Sequence, residues 1–309
     1  MCTSPNRLRS GQLVSCRECW QCNAQKIGYW AGKCIAEAQH SKKTYFVTLT
    51  YGRDQMGVSD HINATILTYS DVQKFLKKIR FRLGTKFRYF VSGEYGSLND
   101  RAHWHMLLFC KEAIVPDIKL NERIEQKDWD HGYSQWKVAN YKHAFYAAKY
   151  CLKSDKFDSE YHYSMQPALG TEWFQRYAQS FVEHGLAPQD PFYKFDNVRS
   201  SKGKILNFMM KETNLFQFIE FYADQWRKKY PHRHLPASDM VEQYFDKKAL
   251  KQRDIEMTFE DHLYRKKLER SFIDVEEAVA EYEYEKERRE KYALTYAKAK
   301  SKSETLYAT

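Results

Sequence analysis

The sequence predicts an α+β fold: one core of strands and helices, followed by a helical C-terminal extension. Three observations predict it. Short β-branched and aromatic runs at 45–51, 87–94 and 101–109 read as strands. Apolar residues spaced three and four apart mark helices between and after them. From about Asp239 the chain becomes charged and helix-favouring.

The 309 residues carry a net charge of +10, with 43% hydrophobic and 16% aromatic residues, 23 of them Tyr. That length suits about two domains, or one core with appendages. A basic chain rich in flat rings suggests nucleic acid, since cations bind phosphate and rings stack on bases. Charge alone is also satisfied by a solvated Lys/Arg surface. No signal-peptide layout is seen at the N-terminus, and no apolar run reaches the roughly 18 residues that span a bilayer, so no membrane partner is expected. Seven cysteines, four of them from Cys16 to Cys34, do not form the even framework of a secreted disulfide protein. The expected location is cytoplasmic.

In chain order, four parts are expected: a Cys-rich segment 1–42, a catalytic core 43–160, an aromatic and basic accessory region 161–235, and a charged helical tail 236–309. The first holds Cys16, Cys19 and Cys22 at Cys-x2-Cys-x2-Cys spacing, with Cys34 downstream. Thiolates so spaced can wrap a structural Zn2+. A helix expected from near Asn23 places Ile27, Ala31, Cys34, Ile35 and Ala38 on one face, where a buried free thiol at Cys34 is equally ordinary.

In the core, 45–51 reads as a buried strand with Thr48 and Thr50 on one face, either strand formers or phosphate contacts. The next helix runs through Val72, Phe75, Leu76, Ile79 and Leu83, capped by Ser70 or Asp71 and stopped by Gly84. Lys74, Lys77, Lys78 and Arg82 lie on its other faces. Residues 111–140 read as a loop-rich excursion, with His131 on the surface. Beyond the core, 215–222 starts a helix that Pro231 and Pro236 interrupt, and 276–300 reads as an exposed, frayed helix.

The chemistry centres on Arg101-Ala102-His103-Trp104-His105. In a strand, His103 and His105 share one face while Trp104 packs on the other. Two imidazoles so placed can share one divalent ion. Turn residues at 96–100 make 87–94 and 101–109 a hairpin, and a turn centred near Leu98 and Asn99 sets Glu94 opposite His103. A slip of one residue would turn Glu94 away. The helix from Tyr141 then separates an apolar stripe (Tyr141, Phe145, Ala148, Leu152) from a second one (Tyr146, Lys149, Tyr150, Lys153). Tyr146 and Tyr150 are helical neighbours about 5–6 Å apart at Cβ. They either pack at a helix edge or address one phosphate in turn.

Strand, helix, His-x-His hairpin and paired-tyrosine helix together resemble the HUH endonucleases. The resemblance is closest to the rolling-circle replication initiators of microviruses, of gokushovirus type. It is carried by 46–51, by Gly93-Glu94-Tyr95-Gly96 leading into 101–105, by 146–153, by the cysteine run before Trp30, and by 165–173, and it covers roughly 14–180. Ala102 stands where the family more often has Pro, and Ala168-Leu169-Gly170 replaces a more glycine-rich turn. The resemblance implies an RRM-like core, a central antiparallel sheet flanked by helices. It implies a metal-dependent single-strand nick of phage replicative DNA through a covalent 5′-phosphotyrosine. Mg2+ or Mn2+ would be held by His103, His105 and Glu94, the nucleophiles would be Tyr146 and Tyr150, and Lys149 would steady charge. Expected partners are viral origin DNA, single-stranded or as nicked duplex, and the host helicase and polymerase, in the cytoplasm of the bacterial host. Two competing readings are another HUH enzyme of transposase or relaxase type, and a non-enzymatic zinc-stabilised DNA-binding protein.

Overall fold

The computed structural model describes residues 2–8, 11–52, 61–96, 100–112, 119–152, 160–255, 261–264, 276–288 and 290. In chain order the elements are β1 (Asn6–Arg7), β2 (Leu13–Val14), α1 (Trp20–Gln39), β3 (Lys43–Tyr51), α2 (Tyr69–Leu83), β4 (Phe87–Tyr95), β5 (Ala102–Cys110), β6 (Arg123–Gln126), β7 (Trp129–Val138), α3 (Tyr141–Lys149), β8 (Tyr161–Tyr163), α4 (Thr171–Glu183), β9 (Phe192–Arg199), β10 (Ile205–Met209), α5 (Glu212–Lys229) and α6 (Asp239–Ile255). The expected α+β architecture is present. A six-stranded antiparallel sheet in the order β6-β7-β3-β5-β4-β8 forms its centre.

Alternation along the central strands gives the sheet two buried faces. Val47, Leu49 and Tyr51 of β3 and Trp104, Met106 and Leu108 of β5 pack with Val72, Phe75, Leu76 and Ile79 of α2. The opposite face carries Phe46, Phe90, Leu107 and Phe109, all buried, beneath α1 and α3. Trp30 of α1 sits 5.4 Å from Phe90, ring centre to ring centre, and Ser92 Oγ donates to the Ala147 carbonyl of α3 at 2.9 Å. Gly32 lets α1 approach the β9–β10 hairpin. A Cβ there would lie 2.3 Å from the Tyr193 hydroxyl and 2.8 Å from Phe208.

Three expectations change. The stretch 111–140 is not mainly loop: 119–140 hold β6 and β7, and β7 pairs along β3 from Tyr45↔Val138 to Tyr51↔Gly132. Trp129 and Trp136 are buried in the core although they differ in strand parity, and Gly132, at φ 149°, lies between them. That break in alternation hides the strand from a period-two reading. Neither Ser70 nor Asp71 caps α2: Thr68 holds the N-cap position, and Asp71 is buried, accepting from Tyr51 OH (3.2 Å) and Asn63 Nδ2 (2.8 Å). Gly84 closes α2 in the left-handed region, as expected. Finally, α1 begins at Trp20 rather than near Asn23.

The chain divides into two units, Met1–Glu183 with Pro191–Gln225, and His184–Asp190 with Trp226–Thr309. Within the second, Ser238 Oγ donates to the Pro188 carbonyl at 2.5 Å, and 276–288 is helical and mostly exposed. Residues 291–300 of the expected tail helix lie outside the described residues. Among the described residues, no helix is long and apolar enough to cross a membrane.

Candidate active site

Strand β5 presents His103 and His105 on the face beneath α3, while Trp104 is wholly buried on the other and donates its indole N–H to Tyr51 OH at 3.4 Å. The hairpin register pairs Glu94 with His103, as the turn spacing predicts. The turn at 97–99 itself lies outside the described residues. The carboxylate reaches diagonally: Glu94 Oε2 lies 2.7 Å from His105 Nε2. Thr48, paired with His105 across β3–β5, sets its Oγ1 3.3 Å from His105 Nδ1. Of the two expected roles for Thr48, the structure shows one that orients a histidine through its second ring nitrogen.

His105 is buried between rings. Phe46 stacks at 5.7 Å, Tyr150 at 5.3 Å, and Tyr146 stands edge-on at 5.0 Å. His103 is half-buried beside Gly96, where a Cβ would come within 3.1 Å of its Cε1. Burial lowers the His103 pKa, with the neighbouring His105 adding to the fall, so its neutral, ligating form is favoured. For Glu94, burial pushes the pKa up, but hydrogen bonds from His105 and Tyr150 outweigh it and the net shift is down. Tyr150 moves the other way: burial first, then its bonds to Tyr146 and Glu94, push its phenol well above the usual tyrosine range.

Helix α3 holds both tyrosines, Tyr146 within its last turn and Tyr150 at the C-cap; Lys153 lies outside the described residues. Tyr146 is 43% exposed, and its ring centre is 5.2 Å from that of Tyr150. Three contacts fix the helix. Asn140 Oδ1 accepts from the Lys142 and His143 amides while His143 Nδ1 accepts from the Asn140 amide, a reciprocal N-terminal cap. Ser92 ties its middle to β4. At its C-terminal end, Lys26 of α1 donates from Nζ to the Cys151 carbonyl at 2.5 Å, a charged cap next to Tyr150. Lys149 Nζ lies 5.7 Å from the Tyr150 ring centre. Sequence patterns gave no signal for Lys26 or Ser92, whose partners are 125 and 55 residues away.

The donor set suits a divalent cation. Cis ligands at about 2.1 Å from an octahedral ion lie about 3 Å apart, close to the 2.7 Å between His105 Nε2 and Glu94 Oε2. His103 is not yet part of a closed trio. Among the described residues, the only three or more ligating atoms all within 4.8 Å of one another belong to Cys2, Cys16, Cys19 and Cys22. That group could hold a metal ion. Cys34 does not belong to it: it is buried along α1, as its helical stripe predicts.

A second histidine pair lies at the far end of β3. His131 Nδ1 is 3.0 Å from His61 Nε2, and His131 Nε2 is 3.5 Å from the buried Asp71 carboxylate. His131 is therefore half-buried and partnered, not a surface histidine as expected. Lys78 and Arg82 of α2, read as solvated, pair with Asp130 and Asp128.

Residues 44–155 match the family of replication-associated proteins of ORF2 type. The chain is 27% identical over 197 residues to "Replication-associated protein ORF4" of Chlamydia phage 1, covering 55% of this chain and 48% of that protein. It is 26% identical over 197 residues to "Replication-associated protein VP4" of Bdellovibrio phage phiMH2K, covering 55% and 60%. To "Replication-associated protein ORF2" of Spiroplasma virus 4 it is 27% identical over 128 residues, covering 40% and 38%. The match thus spans about half the length of these relatives. No solved structure matches the chain.

Proposed function

We propose that this chain, whose residues 44–155 match the ORF2-type family of replication-associated proteins, initiates phage DNA replication by nicking one strand at the origin. The relatives' names support the replication role. The nick and its chemistry are read from the site. The observation that carries it is the convergence of Tyr146 and Tyr150 on His105, with ring centres 5.0 and 5.3 Å away, where His105 also meets Glu94.

A divalent cation, Mg2+ or Mn2+, held by His103, His105 and Glu94 would polarise the scissile phosphate. The chain's own groups do the rest. A tyrosine phenol oxygen bonds to phosphorus as the bond to the 3′ oxygen breaks, leaving a 5′-phosphotyrosine and, once that oxygen is protonated, a free 3′-OH. Tyr150 is hydrogen-bonded to Glu94, whose lowered pKa keeps it an acceptor at neutral pH. Burial disfavours a free phenolate at Tyr150, so its proton leaves as the new bond forms. Lys149 offsets developing negative charge. The second tyrosine then cleaves the regenerated origin, and the freed 3′-OH attacks the first phosphotyrosine to close a circular single strand. The free 3′-OH would prime the host polymerase behind a host helicase, in the host cytoplasm.

The test is incubation of the full chain with single-stranded origin DNA and Mn2+, followed by mass mapping of the DNA-linked residue. Adducts on Tyr146 or Tyr150, absent from the Y146F/Y150F double variant, support the proposal. Adducts at full yield in that variant overturn it.

A further inference from the structure

We propose that Cys2, Cys16, Cys19 and Cys22 bind one structural Zn2+ as four thiolates, with Cys2 rather than Cys34 as the fourth ligand. Zn–S bonds of about 2.3 Å in a tetrahedron place sulfurs about 3.8 Å apart. Here Cys2 and Cys16 are 3.4 Å apart, Cys19 and Cys2 3.8 Å, and Cys16 and Cys22 3.9 Å. All four sulfurs lie within 4.8 Å of one another, and each is a free thiol.

The backbone is shaped for the same ion. The β1–β2 hairpin, paired Asn6↔Val14 and Arg7↔Leu13, folds the N-terminal strand back so that Cys2 meets Cys16. The amides of Cys16 and Cys19 donate to the sulfurs of Cys2 (3.4 Å) and Cys16 (3.3 Å), bonds that favour thiolate sulfur. Arg17, at φ 67°, takes the left-handed conformation that turns the chain between Cys16 and Cys19. Cys22 enters from the first turn of α1. Cys34 is twelve residues further along the same helix, about 18 Å at 1.5 Å per residue, and cannot reach.

The segment needs such a staple. Of its described residues from Cys2 to Cys19, none is buried, and Leu8 and Leu13 are 46% and 59% exposed. Without an apolar core, metal binding supplies the folding energy. The ion would thereby hold the segment onto the N-terminus of α1, the helix that carries Lys26.

The full chain, purified under reducing conditions, is analysed for zinc by mass spectrometry and, after exchange, for Co2+ by absorption. One Zn2+ per chain and the near-ultraviolet thiolate-to-Co2+ band of a four-sulfur site are expected. C2S should lower the zinc content at least tenfold under competition with a chelator, and C34S should leave it unchanged. Zinc-free wild type, a Co2+ spectrum without thiolate bands, zinc retained in C2S, or zinc lost in C34S would each overturn the site. The Co2+ spectrum is read on the wild-type chain, so the test does not depend on a variant folding. The zinc count needs no DNA, so its failure and that of the nicking proposal are read separately.

Discussion

Two clusters of the same residue types lie along the central strands. Each has two imidazoles and a carboxylate: His103, His105 and Glu94 beneath α3, and His61, His131 and Asp71 beside α2. Their surroundings differ. The first borders an exposed tyrosine and a second one at the same helix end. In the second, Asp71 is already taken by Tyr51, Asn63 and Lys74, and Tyr51 and Trp129 rings pack against His131. Identical donors thus do not define a reactive site. The first has nucleophiles within reach and ligands with capacity to spare, while the second has spent its bonds on holding the loop after β3 to β7.

The sharpest way to break this contrast is to disable each pair. The H103A/H105A double variant should lose at least about 10³-fold in adduct formation, about 4 kcal/mol of transition-state stabilisation, while retaining most binding of an origin oligonucleotide. H61Q/H131Q should remain within about threefold of wild type. Equal losses in the two variants, measured by single-turnover nicking, would abolish the distinction. Next comes Trp104, which separates the clusters by filling the α2 face between the two histidines of β5. With no exposed surface and its indole bonded to Tyr51, W104A should cost about 3–5 kcal/mol in urea unfolding. A loss below about 1 kcal/mol would mean that the tryptophan is not the anchor of the strand.

The first cluster was largely legible in the sequence and the second was not. His103 and His105 are two residues apart, and strand geometry alone puts them on one face. Glu94 followed from a short hairpin, where turn length sets register, and the pairing with His103 holds. What the pattern could not give is the diagonal reach of Glu94 to His105, which rotamers decide. His61 and His131 are 70 residues apart and meet only because β7 inserts beside β3. That strand was hidden by Gly132 and the shifted alternation around it. Cys2 was missed for the same reason: a lone cysteine in a polar segment carries no spacing signal until the β1–β2 hairpin delivers it. Lys26 belongs to this class too.

Lys26 connects the first cluster to α1. K26M keeps most of the stem and removes the charge that caps the Cys151 carbonyl. Because the residue is half-exposed, the stability loss should be about 1 kcal/mol. The larger signature is kinetic: about a tenfold fall in the nicking rate at saturating DNA, with little change in half-saturating DNA concentration, because Tyr150 stands one residue before the capped carbonyl. K26R should restore part of the rate. A fall in DNA affinity without a fall in rate would make Lys26 a DNA contact instead.

The smallest expected effect distinguishes the second cluster by pH. Burial, the leading cause, lowers the His131 pKa, helped by His61 and Lys74, while Asp71 and Asp130 oppose it. The folded chain therefore releases this proton more readily than the unfolded one, whose histidine titrates near 6.5. Between the lowered folded pKa and about 6.5 the unfolded state binds more protons, so His131 contributes a stability that grows with pH and is complete above that range. As pH falls through the window the contribution is lost. H131Q should flatten the rise of urea-unfolding stability between about pH 5 and 7 by at most about 1.4 kcal/mol per pH unit, the limit for one proton. Nicking rates at pH 7.5 should not follow. An unchanged slope in H131Q would mean that the imidazole is equally easy to protonate in both states, and that its place between His61 and Asp71 carries no electrostatic cost.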